Sequence, residues 1–501
     1  MPLAQVLGIA REQISVGLAR LGTPPTEGAV DERWYWAAPL LLDRALDAKA
    51  TMAWFEQDDL AAAWARADAD DGDDGVAEGD GADAGGSAAA DDGDAWQKHV
   101  DEARRVAQSG TGASLGTLDA PLGRMPDDLV EVLAELAVAG PAVAMLRSLD
   151  RVVRGESALK PAERIALRNG AGRAAWSFRS LFNHPEVMSM LREGARGLTA
   201  VPYWRQVLRY CAEGCLPAVL DEYVHVMRDH LGLMSGSIGE RVHEIADEIR
   251  DSVELRRSRV GLDDFVVSAS GRTVKREART LRTHFALRFG NDKNDDGTDV
   301  TRADQVRKAF NSPFWPFVLV TTSVGQEGLD FHTYCHAVVH WNLPSNPVDL
   351  EQREGRVHRY KGHAIRKNVA LAHGWASLEA SAPDPWQEMF DLARAKGVEQ
   401  GASEVVPFWV YPVEGGARIE RHILALPLSR EYAQASALRT SLAVYRMVFG
   451  QPRQEDLVTY LTSRVPAAEL ERVMAQARIE LAPQAAAPIM DDPMIASRGA
   501  G

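Results

Sequence analysis

The chain has few cysteines and no long apolar block. Its 501 residues contain three cysteines, Cys211, Cys215 and Cys335, which argues against the disulfide framework of a secreted scaffold. We find no apolar run of transmembrane length. The N-terminus lacks the basic start and apolar block of a signal peptide. These absences predict a cytoplasmic protein without a membrane partner.

Basic residues are absent from one acidic segment. Residues 67–95 carry eleven acidic side chains and no basic one, and removing them from the net charge of −15 leaves −4 for the rest. The remainder is close to neutral, so bulk charge neither excludes nor indicates a nucleic-acid partner. The segment is mostly Asp, Gly and Ala and has little to bury, which predicts a disordered linker.

The hydrophobic pattern changes its period along the chain. Helical spacing dominates before residue 260, whereas short β-branched runs follow at 265–267, 317–320 and 338–341. Helical stretches separate these runs, a pattern typical of a parallel α/β sheet. The predicted fold class is therefore α/β, with one parallel-sheet lobe in a mostly helical chain. The predicted segments are helical 1–66, disordered 67–95, helical 96–260, the α/β lobe 261–376, an accessory α+β region 377–482 and a disordered tail 483–501.

A loop suited to phosphate follows the second of these runs. Val318–Val320 is predicted as a buried strand, and three hydroxyl side chains and two glycines come after it. Loops at the carboxyl ends of parallel strands form the usual ligand crevice of open α/β sheets. Hydroxyl and backbone N–H groups suit phosphate oxygens. The alternative is an ordinary strand-to-helix turn.

A basic helix is predicted after the third run. Asn346 is a suitable N-cap and Pro347 a suitable first residue, so a helix is expected from there through Arg359. At about 100° per residue, Arg356 and Arg359 lie within about 40° of Gln352, on the face opposite the apolar side chains. Two guanidinium forks on one face suit phosphate. The alternative is a solvated basic face with ordinary salt bridges.

One glycine is unexpected inside this predicted helix. Gly355 costs about 1 kcal/mol relative to alanine at a helical position. A ligand or another backbone close to Gly355 would explain that cost.

Together the loop and the helix resemble motifs V and VI of superfamily 2 helicases. The closest resemblance is to the RapA and Swi/Snf-type branch, through residues 342–353 and the upstream helix 302–311. The pattern T-S-x-G-x-E-G-x-(D/N)-F matches at Thr322, Ser323, Gly325, Glu327, Gly328, Asp330 and Phe331. The pattern Q-R-x-G-R-x-x-R matches at Gln352, Arg353, Gly355, Arg356 and Arg359. The resemblance implies a RecA-like C-terminal lobe.

The resemblance also implies roles for individual residues. Arg356 and Arg359 would be catalytic arginine fingers that reach the triphosphate of ATP bound on another lobe. The expected ATP-binding residues are Gln352, Glu327, Gly328 and Asp330. The expected nucleic-acid contacts are Thr321, Thr322, Ser323 and Arg302. The partner would be DNA, with RNA as the alternative.

A complete motor also needs a P-loop to hold the phosphates and Mg²⁺, and we find none in this sequence. The resemblance therefore implies that ATP and Mg²⁺ are bound jointly with a P-loop lobe, in cis in a longer chain or in trans. The chain alone is expected to be inactive. The alternative function is a non-catalytic nucleic-acid- or protein-binding module that retains a degenerate helicase lobe.

Three histidines and a cysteine between the two motifs are candidate zinc ligands. His332, Cys335, His336 and His340 lie close together in sequence. Their spacing matches no common zinc site, so no metal site is predicted.

Overall fold

A computed structural model describes most of the chain in separate stretches. These are residues 2–22, 25–57, 88–109, 122–154, 159–194, 201–254, 258–267, 274–283, 299–321, 330–374, 378 and 384–424, with a few positions between 429 and 472. Contacts divide the chain into two compact units, Met1–Ala286 and Leu287–Gly501.

The described residues of the first unit form helices and one hairpin, with turns between them. Its helices are α1 Leu3–Ala19, α2 Trp34–Leu46, α3 Ala48–Phe55, α4 Ala88–Ser109, α5 Leu129–Ala139, α6 Pro141–Arg154, α7 Pro161–Asn183, α8 Pro185–Gly194, α9 Tyr203–Glu213, α10 Leu216–His230 and α11 Ile238–Val253. The hairpin strands are β1 Ser258–Val267 and β2 Val274–Thr283. Helix α4 begins within the segment predicted as a linker, while residues 67–87 lie outside the described residues. The predicted domain limits stay predictions.

Buried aromatic and aliphatic side chains hold this unit together. Trp34 is 1% exposed and its indole N–H donates to the carbonyl of Gly123 over 2.9 Å. Helices α7 and α11 pack so closely that a Cβ atom on Gly170 would meet Val242 Cγ1 at 2.4 Å. Glycine at position 170 is therefore required by the close approach of the two helices.

Helices α5 and α6 together form an apolar stretch. Leu129–Val153 is long and apolar enough to cross a membrane by length and composition, contrary to the sequence expectation. Half of that stretch is buried inside the fold, as in the core helices of many proteins, and Gly140 and Pro141 separate α5 from α6.

The first predicted strand does not belong to a parallel sheet. Phe265–Val267 lies at the end of β1, which pairs antiparallel with β2 from Ser258↔Thr283 to Val267↔Val274. The two strands are joined by residues 268–273, and a connection this short permits only antiparallel pairing, because a parallel crossover needs a dozen or more residues.

The described part of the second unit contains a small parallel sheet and several helices. Its elements are α12 Asp299–Phe310, β3 Ala337–His340, α13 Pro347–Gly355, α14 His363–His373, α15 Pro385–Glu399 and β4 Glu420–Ile423. Strands β3 and β4 pair in parallel, with Ala337 opposite Glu420 and His340 opposite Ile423. The described residues of this unit contain parallel pairing, as predicted, but only these two strands rather than a full RecA-like sheet.

The other predicted strand before motif V is absent. Residues 317–320 form no strand, and the side chains of Phe317, Val318 and Val320 are 72%, 76% and 89% exposed. The prediction of a buried strand there was wrong among the described residues. Leu319 alone of these four packs toward the core, against the cluster of Phe310, Phe331 and Val357.

Candidate nucleotide and nucleic-acid site

The start of helix α13 follows directly from its sequence. The Asn346 side chain accepts a hydrogen bond from the Val348 N–H over 2.9 Å, and Pro347 is the first helical residue, as predicted. Leu350 is 1% exposed and Val357 4%, so the predicted apolar face is the buried one. These contacts fix how the chain enters the arginine-bearing segment.

Loss of the cap should weaken the fold slightly. We expect Asn346→Ala to reduce the free energy of unfolding by about 1 kcal/mol, because one backbone N–H at the helix start loses its acceptor. Urea unfolding followed by circular dichroism measures the change. Asn346→Asp is the matched control and should retain most of the stability; an equal loss in both variants would contradict the assignment of the cap.

The helix ends earlier than the sequence analysis predicted. Gly355 is its last residue and Arg356 its C-cap, so Arg359 lies beyond the helix. The Arg356 carbonyl accepts from the Phe331 N–H over 2.9 Å, a long-range bond that replaces the next helical one. An added Cβ on Gly355 would meet only Arg359 Nη1, at 3.9 Å, among the described residues. The close backbone neighbour expected at Gly355 is therefore not present in the described part of this unit.

Arg356 and Arg359 nevertheless converge on one point. Asp330 Oδ1 lies 3.1 Å from Arg359 Nε and 3.8 Å from Arg356 Nη1. The Asp330 side chain is 47% exposed, that of Arg359 37% and that of Arg356 18%. Asp330, Arg356 and Arg359 thus form a group of ion pairs at the surface. We call these three residues the Asp330 cluster.

Backbone contacts position the Asp330 cluster independently of its charges. Asn311 Nδ2 donates to the Asp330 carbonyl over 2.8 Å, and the Gly362 N–H donates to the Arg359 carbonyl over 3.1 Å. With the bond between Phe331 and Arg356, these contacts join the residue after α12, the last residues of motif V and the segment after α13.

A buried ion-pair network lies on the other side of α13. The Glu354 carboxylate, on α13, accepts from Arg421 on β4 through both of its oxygens and is 3.3 Å from His340 Nε2 on β3. Burial opposes ionisation of Glu354, but His340 and Arg421 outweigh it and lower the pKa of the carboxyl to about 2. Glu354 therefore fastens the arginine-bearing segment to both strands of the sheet.

A tight turn follows Arg359. Lys361 has a φ of 46°, and its N–H donates to the Phe408 carbonyl over 2.8 Å. Its Nζ lies 4.5 Å from the centroid of the Phe390 ring, a cation–π contact. The buried Arg366 donates to the carbonyls of Lys361 and Thr333. This turn directs the chain back from the Asp330 cluster into the core of the second unit.

The remaining predicted site residues are placed differently. Gln352 is exposed on α13. Thr321 is also exposed, and it directly follows the irregular segment 317–320. Arg302 belongs to α12, but its side chain lies outside what the structure describes. Four further predicted residues, Thr322, Ser323, Glu327 and Gly328, lie outside the described residues.

Three residues of the site were not found by sequence reasoning. Asn311, Glu354 and Arg421 hold the segments in place through contacts between positions 14 to 67 residues apart, and such pairs leave no local pattern. Two signals were available: Glu354 lies inside the second motif, and Asn311 ends the upstream segment 302–311 that carries the same resemblance.

One of the histidines considered for a zinc site, His336, pairs with a histidine outside that group. His336 Nδ1 lies 3.1 Å from His363 Nδ1, and burial together with Arg366 lowers the pKa of His363 to about 3. Among the described residues, no group of three or more His, Cys, Asp or Glu side chains is arranged to hold a metal ion.

Comparison with known proteins finds one similarity. Neither the curated proteins nor the solved structures contain a match to this chain. One family model does match, that of the helicase conserved C-terminal domain, over residues 255–361. The match includes Asp330, Arg356 and Arg359 and extends from the β1–β2 hairpin to the turn at Lys361. Residues 255–361 are therefore similar to the C-terminal lobe of a helicase.

Proposed function

We propose that the chain supplies the C-terminal motor lobe of a helicase-type, nucleic-acid-dependent ATPase. In this proposal Arg356 and Arg359 bind the triphosphate of an ATP held by a P-loop lobe. The observation that carries the proposal is that both guanidinium groups converge on one oxygen of an exposed carboxylate, within the helicase-like segment.

The chemistry of the two arginines fits a triphosphate. A guanidinium group is always charged, and its planar fork matches the oxygens of carboxylate and phosphate alike. Their partial burial and the backbone contacts described above restrict where the two forks point. A bound ATP with Mg²⁺ would supply the transferable phosphoryl group. Arg356 and Arg359 would stabilise negative charge that develops on its oxygens.

The proposal of a nucleic-acid partner rests on the same helicase-like segment, residues 255–361. Thr321 is exposed at the start of the loop that resembles motif V, and hydroxyl groups commonly contact phosphates of the backbone. We propose DNA as the partner and movement along the duplex, as in the Swi/Snf-type branch, as the activity. RNA is the alternative substrate.

A binding module without catalysis is the second candidate. The carboxylate of Asp330 already neutralises part of the charge on Arg356 and Arg359. If no P-loop lobe ever faces this surface, the pairs are ordinary surface salt bridges, and the lobe would serve only to bind DNA or protein.

An assay of reassembly separates the two candidates. ATP hydrolysis is measured with the intact chain alone, with a P-loop-bearing first lobe alone, and with the mixture, each with and without duplex DNA. The motor predicts no turnover by the chain alone and DNA-stimulated turnover in the mixture. Turnover by the chain alone, or a mixture no more active than its separate components, would refute the motor assignment. DNA binding that weakens with salt, without turnover, would favour the module.

A further inference from the structure

The Asp330 cluster is arranged like an anion-binding site, and the bound anion is the protein's own Asp330 carboxylate. One oxygen, Asp330 Oδ1, accepts a hydrogen bond from Arg359 Nε and lies within ion-pair distance of Arg356 Nη1. Carboxylate and phosphate oxygens accept from guanidinium groups in the same geometry. A phosphate that binds these same two donor nitrogens must therefore take the position of the Asp330 carboxylate or share it.

These ion pairs are weak enough to exchange. The Asp330 carboxylate is about half exposed, and exposed pairs of single charges contribute little to stability. A polyphosphate carries several charges and more acceptor oxygens, so it competes well for the same donors.

The backbone around Asp330 does not depend on its carboxylate. The main chain is held by Asn311 at the Asp330 carbonyl and by the bond between Phe331 and Arg356. Removing the charge should therefore leave the backbone that carries the two arginines in place. An effect on anion binding would then report competition rather than a loss of structure.

We propose that the Asp330 carboxylate is a built-in competitor of phosphate: it holds Arg356 and Arg359 together in the nucleotide-free lobe and opposes binding of polyphosphate until contacts from a second lobe outweigh it. This proposal rests on the proposed function. It adds that the Asp330 carboxylate occupies the arginine site until a P-loop lobe presents ATP. Asp330, which the resemblance implied to bind ATP, is in this proposal a positioning residue that keeps the site closed to free anions.

Calorimetric titration of the intact chain with inorganic tripolyphosphate tests this competition. Asp330→Asn removes the charge and keeps an acceptor oxygen, and it should raise the affinity about three- to tenfold. Asp349→Asn, at the opposite end of α13, is the control for loss of a negative charge, and it should change the affinity less than about twofold. Arg356→Gln added to Asp330→Asn should abolish the gain.

Any other result counts against competition between the Asp330 carboxylate and phosphate. An unchanged or weaker affinity in Asp330→Asn, an equal rise in Asp349→Asn, or no tripolyphosphate binding by either the parent chain or Asp330→Asn would overturn it. If Arg356→Gln weakens binding while Asp330→Asn does not strengthen it, the competition fails but the proposed function stands.

Discussion

Under the proposed function, Arg356→Ala should lower ATP turnover by the mixture of this chain and a P-loop-bearing lobe about a thousandfold or more, which is the range expected for loss of an arginine finger. The Arg356 side chain is 18% exposed, and its backbone is fixed by the hydrogen bond that the Phe331 N–H donates to the Arg356 carbonyl. Because the charge on the phosphoryl group develops during transfer, the loss should appear in kcat more than in KM. Steady-state phosphate release with saturating duplex DNA measures both constants.

Two further variants make the Arg356 result specific. Arg356→Lys keeps the charge but not the planar fork, so it should recover only a small part of the activity. Lys396→Ala removes an exposed cation at the end of α15 in the same unit and should leave turnover unchanged. Full activity in Arg356→Ala, or a matching defect in Lys396→Ala, would rule out Arg356 as a finger and favour the binding module.

Glu354→Gln should destabilise the second unit by about 2–3 kcal/mol. The Glu354 side chain is 13% exposed, and its loss leaves Arg421 and the buried His340 without their carboxylate. Removing one partner of a buried pair is costly because the other charge keeps its desolvation penalty. Arg421 is 26% exposed, so water offsets part of that cost. Calorimetry should show the melting transition of this unit shifted down by roughly 5–10 °C.

The pH dependence gives the Glu354 prediction a distinct signature. The folded pKa of Glu354 is about 2, below the usual 4.5, so its contribution to stability is present above pH 4.5. That contribution is lost as pH falls toward 2, because the unfolded state binds the proton first. The stability difference between the parent chain and Glu354→Gln should shrink over this window. Glu399→Gln, an exposed carboxylate at the end of α15, should show no such change. A difference that is constant with pH would contradict the network.

Local rules of helix formation account for what was predicted correctly in the site. Asn346, Pro347 and Leu350 define the start and buried face of α13, and each acts within one or two turns of helix. The length of α13 was not predicted, although Gly355 is a residue type that commonly ends helices. The decisive contact is the bond from Phe331 to the Arg356 carbonyl, and it joins positions 25 residues apart.

The sheet was predicted less well, because strand pairing depends on distant partners. The run at 338–341 was recognised, since β3 covers Ala337–His340, but its partner β4 is the largely polar Glu420–Ile423. Conversely, residues 317–320 have the apolar composition of a strand and form none in the described residues. Residues 408–411 are aromatic or β-branched, yet they lie in turns and irregular backbone, where Phe408 stacks near Phe390 in an aromatic core. The apolar composition of a run indicates its tendency to be buried. It does not identify the strand with which that run pairs.

The affinity between this chain and a P-loop-bearing first lobe, with and without nucleotide, tests the central claim most directly. If Arg356 and Arg359 bind a triphosphate presented by that lobe, a non-hydrolysable ATP analogue should tighten the complex. The Arg356→Ala, Arg359→Ala double variant should then bind with the weaker affinity seen without nucleotide. Equal affinities for the empty and the analogue-loaded lobe, or tightening that survives in the double variant, would show that these arginines do not bind ATP.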